Sequence, residues 1–343
     1  MQTPHPVTSP EWLIVGHGAL ASLWAHHLAA TNQPATLITR ANPTPGARSL
    51  HVFQNQKGAR IEHRGGSLQQ LALTIDTLKG HTETRQFRTC NWNNVSGRIN
   101  QHSRILIMVK AWQLQSVIEQ LAAAITQANH LPAAIIISHN GIGAAEALLN
   151  EKLQEGWPIF DLVTTHGAWR KHAQHVVHAG AGESVLGPRQ LPASNTCMAP
   201  PSWFDELSDA LPPLTWDPDI LVRRWHKLAI NCAINPLATL AQQPNGVLAH
   251  ARYQADIHAI CAEIAGVAAH VLGPNRLDAN ALEKQVHQVI HATANNTCSM
   301  LQDVNNRNPT EIDYLNGYVA KLAQQLGLSA PVNQRLAQAI SQL

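Results

Sequence analysis

Short apolar runs alternate with amphipathic helical patterns along the first half of the chain. Such runs suit buried strands, and strands that alternate with helices are typical of a parallel sheet covered on both faces. We predict helices at 19–30 and 111–128, and strands at 12–15, 36–39, 105–109, 134–138, 159–164, 176–178 and 184–186. The first half is therefore predicted to be a doubly wound α/β domain.

After Asp217 the pattern becomes helical, and it stays so to the last residue of the sequence. Turn sequences interrupt it at Pro244-Asn245-Gly246, Gly273-Pro274 and Asn308-Pro309. The stretch 187–218 is rich in proline, serine and polar residues, apart from one amphipathic helix predicted at 203–211. We place a domain boundary at its end, between an α/β domain of residues 1–217 and an all-α domain of residues 218–343.

One segment of the first half shows neither helical nor strand periodicity. Residues 80–101 are polar and rich in Asn, Thr and Arg. We predict an exposed insertion or a mobile loop there, because segments of this composition usually run over the protein surface.

Length and charge narrow the class of protein. With 343 residues, 45% of them hydrophobic, the chain can build two cores. Its 13% charged residues and formal net charge of +2 give no field suited to a nucleic-acid backbone or an acidic membrane. The start of the chain lacks the features of a secretory signal, and no apolar run has the length of a membrane span. We predict a cytoplasmic protein, monomeric or homodimeric, whose partner is a small molecule.

Cysteine and histidine patterns give no indication of a metal site. The cysteines are scattered without C-x-x-C spacing and are predicted to be reduced thiols: Cys90, Cys197, Cys232, Cys261 and Cys298. His172, His175 and His178 recur in a segment that is typical of one strand, which would put His175 on the opposite face from the other two. The three imidazoles would then not converge on one ion, and we predict no metal.

The strand at 12–15 runs into Gly16-His17-Gly18-Ala19-Leu20-Ala21, which opens the first helix. In this context Gly16 allows a tight turn, Gly18 lets the main chain approach a pyrophosphate, and Ala21 lets helix and strand pack closely. The N–H groups at the helix start would face the phosphates. Glycine turns also join strands to helices for packing alone, but the position after the first strand favours a dinucleotide site in a Rossmann-type domain.

The second strand indicates which dinucleotide is preferred. Sites that prefer NAD usually have an Asp or Glu at the end of this strand, about 20 residues after the glycine turn, to bind the ribose 2′-hydroxyl. No acidic residue occurs between Trp12 and Ile61, whereas Arg40 stands at the end of the strand, where a guanidinium could pair with a 2′-phosphate. We predict NADPH as the cofactor. The alternative for Arg40 is a solvated surface charge.

Lys227, Asn231 and Asn235 are spaced four apart and form a polar stripe on an otherwise apolar helix. Buried lysine and amide groups need partners, which either a ligand or a helix–helix hydrogen-bond network would supply. Burial also lowers the pKa of a lysine, which suits a general acid that protonates the alkoxide formed when hydride reaches a ketone. The stripe is our candidate for the reacting centre.

Two further regions supply candidate pocket residues. His139-Asn140-Gly141 follows a buried strand, at the carboxyl end of the sheet, where such folds bind ligands. Glu311 would be the third residue of a helix that begins after Asn308-Pro309, where it can cap the helix start instead of meeting a ligand. Ser299 is equally ambiguous, because no histidine spacing marks it as an activated nucleophile.

Seven runs of residues stand in a distinctive order: Gly16 to Ala21, Lys110-Ala111-Trp112-Gln113, His139-Asn140-Gly141, Lys227 to Leu237, Pro244-Asn245-Gly246, Ser299 to Asp303 and Thr310 to Tyr314. In order and spacing they resemble the ketopantoate reductase family, over nearly the whole chain. The resemblance implies reduction of 2-dehydropantoate to D-pantoate with NADPH, a step of pantothenate and coenzyme A biosynthesis.

The resemblance also implies roles by position. Lys227 matches the family's proton donor and, with Glu311, makes the predicted catalytic pair. The substrate side is matched by Asn140, Asn231, Asn235, Asn245 and Ser299. The cofactor side is matched by Gly16, His17, Gly18, Ala19, Leu20, Ala21, Arg40, Lys110, Gln113, Asn140, Ala168 and Glu311. Ala21 replaces a glycine often seen in the family, which the turn tolerates.

Two alternative functions stay open. A relative that reduces a different 2-oxo acid would use the same cofactor and lysine, although several Asn side chains favour a substrate with an additional hydroxyl. A non-catalytic NADP(H)-binding sensor would keep the fold without the chemistry. The complete set of polar residues in the predicted site argues against that sensor.

Overall fold

The computed structural model describes residues 10–39, 69–189 and 199–343. Within these ranges the strands are β1 (Trp12–Val15), β2 (Ala35–Thr39), β3 (Gln69–Asp76), β4 (Thr82–Asn91), β5 (Arg104–Met108), β6 (Ala134–Ser138), β7 (Ile159–Thr164), β8 (Gly167–His172), β9 (His175–Gly180), β10 (Ser184–Pro188) and β11 (Leu214–Trp216). The α-helices are α1 (Ala19–Ala30), α2 (Leu114–Ala128), α3 (Glu146–Gln154), α4 (Phe204–Ala210), α5 (Ile220–Ala241), α6 (Gln254–Leu272), α7 (Ala279–Ala292), α8 (Ser299–Asn305), α9 (Asn316–Gln325) and α10 (Pro331–Ser341).

The described strands join one sheet in the order β11-β10-β7-β6-β5-β1-β2-β4-β3-β9-β8. The run from β7 to β4 is parallel throughout. Antiparallel pairs occur where β10 joins β7, where β3 joins β4, and in the hairpin of β8 and β9. The chain moves from β1 outward through β2 to β4, and later returns to β5 on the other side of β1. The crevice at the carboxyl end of β1 is therefore the topological switch point, where folds of this kind bind ligands.

Helices cover both faces of the sheet. Trp12 and Ile14 of β1 belong to one apolar core with residues of α1 and α4, whereas Leu13 and Val15 belong to another with residues of α2 and α3. Because each face of β1 is buried, the strand is a continuous apolar run in the sequence. The predicted fold, a doubly wound Rossmann-type α/β region followed by a helical region, is confirmed.

The helical region begins directly after the sheet. β11 ends at Trp216 and α5 begins at Ile220. α5 contacts α6, α7, α8 and α10, and it also contacts β7 and β10 of the sheet. Trp225 and Cys232 of this helix are fully buried. α5 therefore lies between the helical core and the sheet.

α6 is the most apolar long helix of this region. The segment Ala251–Leu272, which includes it, is the one part of the described chain that is long and apolar enough to cross a membrane by length and composition. Its Ile257, Ile260 and Ile264 are fully buried in the helical core. In this fold the apolar side of α6 is a packing surface.

The prediction of an exposed insertion at 80–101 is wrong. β4 occupies much of that segment and pairs with β2 on one side and β3 on the other. Its buried side chains, Phe87, Thr89 and Cys90, all lie in its second half, whereas the first half is solvated. Too few apolar residues are present for the strand to show in the sequence, because the sheet supplies most of its stabilising contacts through the main chain.

The interpretation of the three histidines as members of one strand is also wrong. His172 ends β8 and His175 begins β9, so they lie on two strands of a hairpin, with imidazole centroids 5.2 Å apart. His178 packs instead against His166, at 5.4 Å between centroids. Within the described residues, no group of three or more His, Cys, Asp or Glu side chains is arranged to hold a metal ion.

The thiols that the structure describes are all buried and free: Cys90, Cys232, Cys261 and Cys298. Burial raises the pKa of the Cys261 thiol to about 12 and also raises that of Cys232. These groups therefore behave as small apolar side chains at neutral pH. Cys197 lies outside the described residues.

Candidate active site

The glycine turn joins β1 to α1. Gly16 has a φ of +127°, and a Cβ atom there would lie 2.1 Å from the carbonyl oxygen of Met108 on β5. Gly18 has an ordinary φ of −68°, with open space around the position of a Cβ atom. The first glycine is required by the close approach of two strand ends, whereas the second leaves the start of the helix accessible.

The start of α1 is suited to an anion. The helix has no side-chain cap and no acidic residue in its first turn. Its first N–H groups and the positive end of its dipole are therefore available to a phosphate. Ala19 and Leu20 are half-buried, and His17 is exposed. Ala168 of β8 is not brought to this turn, because it pairs with His178, whose ring lies 5.9 Å from that of His27 in the last turn of α1.

Arg40, which is predicted to select the cofactor, lies outside the described residues. β2 ends one residue earlier, at Thr39, and pairs in parallel with β1. The carboxyl end of β2 therefore lies beside the glycine turn. The preference for NADPH stays a prediction.

One carboxylate connects the sheet to the helical region. Glu311 accepts hydrogen bonds from the main-chain N–H of Ala111 and from Asn140 Nδ2, both at 3.0 Å. Lys110 Nζ lies 3.7 Å from the same carboxylate and 2.6 Å from Asp303 of α8. The structure thus brings together Lys110, Asn140 and Glu311 from three distant parts of the chain.

The alternative interpretation of Glu311, as the cap of its own helix, is wrong. No α-helix begins at Asn308-Pro309, and Glu311 precedes a short 3-10 helix, Ile312–Tyr314, without forming a side-chain cap. The carboxylate is only 5% exposed, because it is turned toward donors on the sheet. Those donors come from distant segments, so a local capping pattern gives the wrong partner.

Asp303 is a site residue that the sequence analysis did not single out. Burial alone would lower the pKa of Lys110, but Glu311 and Asp303 outweigh this effect and raise it. Lys110 is therefore held as an ammonium ion between two carboxylates. The only sequence signal for Asp303 is its place at the end of the run from Ser299, since its partner lies 193 residues away.

Lys227 of α5 lines a cavity between this helix and the carboxyl ends of β6 and β7, together with His139, Gly141 and Arg224. Burial lowers the pKa of Lys227 to about 8, and the carboxylate of Glu311 opposes the shift. An amine with this pKa is protonated at neutral pH, yet it releases its proton more readily than an exposed lysine. The position is suited to a general acid.

The rest of the polar stripe continues along α5. Asn231 is half-buried and Asn235 is buried. The Cys298 thiol lies 3.6 Å from the main-chain carbonyl oxygen of Asn235, and its sulfur accepts a hydrogen bond from the N–H of Leu301 at the start of α8. Ser299, next in the chain and exposed, is thereby held close to the turn that carries Asn235.

Two further predicted site residues, Asn245 and Gln113, also have partners within the protein. Asn245 is buried, and its Nδ2 donates to Thr293 Oγ1 at 3.0 Å. Gln113 Oε1 accepts a hydrogen bond from the main-chain N–H of Lys110 at 3.2 Å. Gln113 therefore braces the turn in which it stands, whereas Asn245 joins its own turn to the end of α7.

Fold and site together define a Rossmann-type oxidoreductase with a helical C-terminal region. The chain belongs to the ketopantoate reductase family: the family model described as "Ketopantoate reductase PanE/ApbA" matches residues 12–190, and its C-terminal counterpart matches residues 219–343. One curated relative, the 2-dehydropantoate 2-reductase of Vibrio cholerae serotype O1, is 36% identical over 335 residues, which cover 96% of this chain and 97% of the relative.

Solved structures share the fold at lower identity. The 2-dehydropantoate 2-reductase of Geobacter metallireducens aligns with a TM-score of 0.74 at 20% identity, covering 97% of this chain and 99% of its own. D-mandelate dehydrogenase in complex with NADH and anilino(oxo)acetate also aligns with a TM-score of 0.74 at 20% identity, covering 96% of this chain and 97% of its own. At this level of identity the similarity concerns the fold.

Proposed function

We propose that this protein catalyses the NADPH-dependent reduction of 2-dehydropantoate to D-pantoate, a step of pantothenate and coenzyme A biosynthesis. The proposal rests above all on Lys227, which lines a cleft of a ketopantoate reductase fold with its pKa lowered to about 8 and Glu311 as counter-charge. The name of the Vibrio relative supports the choice of substrate.

The glycine turn fits the proposed cofactor. Gly18 leaves room for a pyrophosphate at the uncapped start of α1, where the N–H groups of Ala19 to Ala21 would bind it. By family resemblance, the remaining contacts come from His17, Arg40, Lys110, Gln113, Asn140 and Glu311. NADPH, when bound, supplies the hydride that reduces C2 of the substrate.

Lys227 acts as the general acid in this proposal. Its ammonium group donates a proton to the C2 oxygen as the carbonyl becomes a hydroxyl. With a pKa of about 8, the group is protonated at neutral pH. Glu311 favours the ammonium form and is itself held by Asn140 and the main chain of Ala111.

The amides and Ser299 orient the substrate. Asn231, Asn235 and Ser299 offer N–H and O–H donors that suit the carboxylate and the additional hydroxyl of 2-dehydropantoate, and Asn140 and Asn245 match further substrate positions. The contact between Cys298 and the Asn235 carbonyl joins α8 to α5. The protein itself therefore sets the relative position of these groups, and such pre-organisation contributes to the rate through proximity.

We also propose that residues 1–217 are the cofactor domain and residues 218–343 the substrate domain of a cytoplasmic enzyme. The short connection between β11, which ends at Trp216, and α5, which begins at Ile220, supports this division. In this division the cofactor binds on the sheet side of the cleft and the substrate binds on the side of α5.

The deciding experiment measures the oxidation of NADPH, as loss of its absorbance, when the purified protein is given 2-dehydropantoate. Parallel assays replace NADPH by NADH, or 2-dehydropantoate by a bulky apolar 2-oxo acid. We expect turnover with NADPH and 2-dehydropantoate alone. Turnover only with the bulky acid would change the assigned substrate but leave the proposed role of Lys227 in place. Equal rates with NADPH and NADH would contradict the role of Arg40, and no turnover with any pair would favour a binding protein.

Replacing Glu311 by Gln is expected to move the alkaline limb of the pH profile of kcat/KM to lower pH. The carboxylate opposes the effect of burial on Lys227, so its removal lowers the pKa of Lys227 further, by about one unit. Because the reaction needs the protonated amine, activity is then lost at a lower pH. The measurement is kcat/KM for 2-dehydropantoate at saturating NADPH across the neutral and alkaline range.

Asp303→Asn is the matched control for that experiment. It removes the other carboxylate from Lys110, but Asp303 is not among the groups that shift the pKa of Lys227. Its alkaline limb should therefore coincide with that of the wild type, whatever happens to the rate. The same shift in both variants, or in neither, would show that Glu311 does not control the ionisation of Lys227.

A further inference from the structure

α5 contains a proline directly after Asn235, the last residue of its polar stripe. Pro236 has no N–H, so the carbonyl oxygen of Cys232, four residues earlier, has no helical donor. Cys232 is fully buried, and a buried carbonyl without a partner is costly. The gap lies on the turn that connects Asn231 to Asn235.

Asn316, the first residue of α9, fills this gap. Its Nδ2 donates to the Cys232 carbonyl oxygen at 3.0 Å, although the two residues are 84 positions apart. The second hydrogen of the same amide goes to Asn333 Oδ1 at 2.9 Å. Since a main-chain carbonyl can only accept, the partner fixes the orientation of the amide. Asn316 is fully buried, so water does not compete for these bonds.

The hydrogen bonds continue from Asn333 to α6. Asn333 Nδ2 donates to Glu263 at 2.7 Å. The same carboxylate accepts the main-chain N–H groups of Val332 and Asn333, at 2.9 and 3.0 Å, at the start of α10. Asn316 is thus fixed between α5 and two other helices.

Asn316 also follows closely on Glu311 in the chain. Between them lies the short 3-10 helix, whose Tyr314 carbonyl accepts the main-chain N–H of Ile142 in the loop after β6, at 2.9 Å. A displacement of Asn316 would therefore affect both the Cys232 turn of α5 and the segment that carries Glu311. The electrostatic effect of Glu311 on Lys227 depends on the separation of these two elements.

We propose that Asn316 is a positioning residue of the active site, which replaces the hydrogen bond lost at Pro236 and thereby fixes Lys227 and Glu311 relative to each other. The inference rests on the proposed function for the identity of the substrate. The hydrogen bonds on which it is built do not depend on which substrate binds.

The ionisation of Lys227 is a suitable reporter, because few charged groups surround it. His139, Asp161 and Arg224 line the same cavity. Burial lowers the pKa of His139 to about 4, so this imidazole is neutral throughout the range of interest. Asp161 and Arg224 belong to one cluster in which two carboxylates pair with two guanidinium groups, the other members being Arg189 and Glu146. Glu311 remains as the carboxylate whose distance matters.

A double-mutant cycle of Asn316→Ala and Pro236→Ala tests the proposal. In Pro236→Ala the restored N–H can reach the Cys232 carbonyl, so the Asn316 amide is no longer needed there. We expect Asn316→Ala alone to lower kcat at least about tenfold and to move the alkaline limb about half a pH unit lower. The double variant should regain most of both losses.

The titration of Lys227 can also be followed without substrate, from the pH dependence of its reductive methylation measured by mass spectrometry. The same downward shift is expected in Asn316→Ala and its reversal in the double variant. If the wild-type protein failed to reduce 2-dehydropantoate, the proposed function would be wrong, but this titration would still decide the role of Asn316.

Asn333→Ala separates positioning from general support of the core. It removes the side-chain bonds of residue 333 to Glu263 and to Asn316 but keeps the bond between Asn316 and the Cys232 carbonyl. Because this last bond is the one that replaces the donor lost at Pro236, the variant should lower the urea midpoint without moving the titration of Lys227. An equal shift in Asn333→Ala, or none in Asn316→Ala, would overturn the proposal. If Asn316→Ala does not fold, a folded double variant supports the proposal and an unfolded one overturns it.

Discussion

Replacing Lys227 by alanine is expected to lower kcat for 2-dehydropantoate by about 10²–10⁴-fold, the usual contribution of a positioned general acid. The variant has no proton donor for the C2 oxygen, whereas the glycine turn and Lys110 are untouched. NADPH should therefore bind with nearly wild-type affinity. Steady-state kinetics measure the first effect, and fluorescence titration with NADPH measures the second.

Lys227→Arg distinguishes proton donation from positive charge. A guanidinium keeps the charge but does not release its proton near neutral pH. If donation is the role of Lys227, the arginine variant should turn over as slowly as the alanine variant while its KM stays closer to that of the wild type. Wild-type turnover in either variant would contradict the assignment.

Replacing Gly16 by alanine is expected to abolish high-affinity NADPH binding and to destabilise the fold by at least about 2 kcal/mol. The new Cβ would lie 2.1 Å from the Met108 carbonyl oxygen, on a backbone with a φ of +127°. β1 and β5 must then separate at the point where the cofactor is proposed to bind. Urea unfolding and NADPH titration measure the two effects.

Gly18→Ala is the matched control for Gly16→Ala. A Cβ atom at Gly18 meets nothing within 4 Å, and the backbone there suits any residue. Stability should therefore stay within about 0.5 kcal/mol of the wild type, while NADPH affinity falls because the methyl group occupies the approach of the pyrophosphate. Equal destabilisation by both substitutions would contradict this assignment of the two glycines.

The parts of the fold that follow from local pattern could be predicted from the sequence. β1, β6, β7 and α1 have the predicted bounds, because these strands are buried on both faces and the helix follows a glycine turn. β4 could not be predicted, since its first half is a solvated strand that is stabilised by main-chain pairing with β3 and β2. Strands of this kind carry little side-chain signal.

The residues of the candidate site likewise fall into those that a local pattern reveals and those that it does not. The stripe of Lys227, Asn231 and Asn235 is a property of one helix, so its spacing is visible in the sequence. Asp303 and the partners of Glu311 are set by contacts between distant segments, and for Glu311 the local pattern indicated a helix cap instead. Asn316 could not be predicted either, because its partner is a main-chain carbonyl on another helix.

The carboxylate of Glu311 also constrains the order of events during synthesis of the protein. The 171 residues that separate Asn140 from Glu311 take roughly 9 to 34 s to translate at about 5–20 residues per second. For that interval the emerging sheet region has the Asn140 amide and the Ala111 N–H in place but not the acceptor that holds them. The cleft is completed only when the segment with Glu311 has left the ribosome.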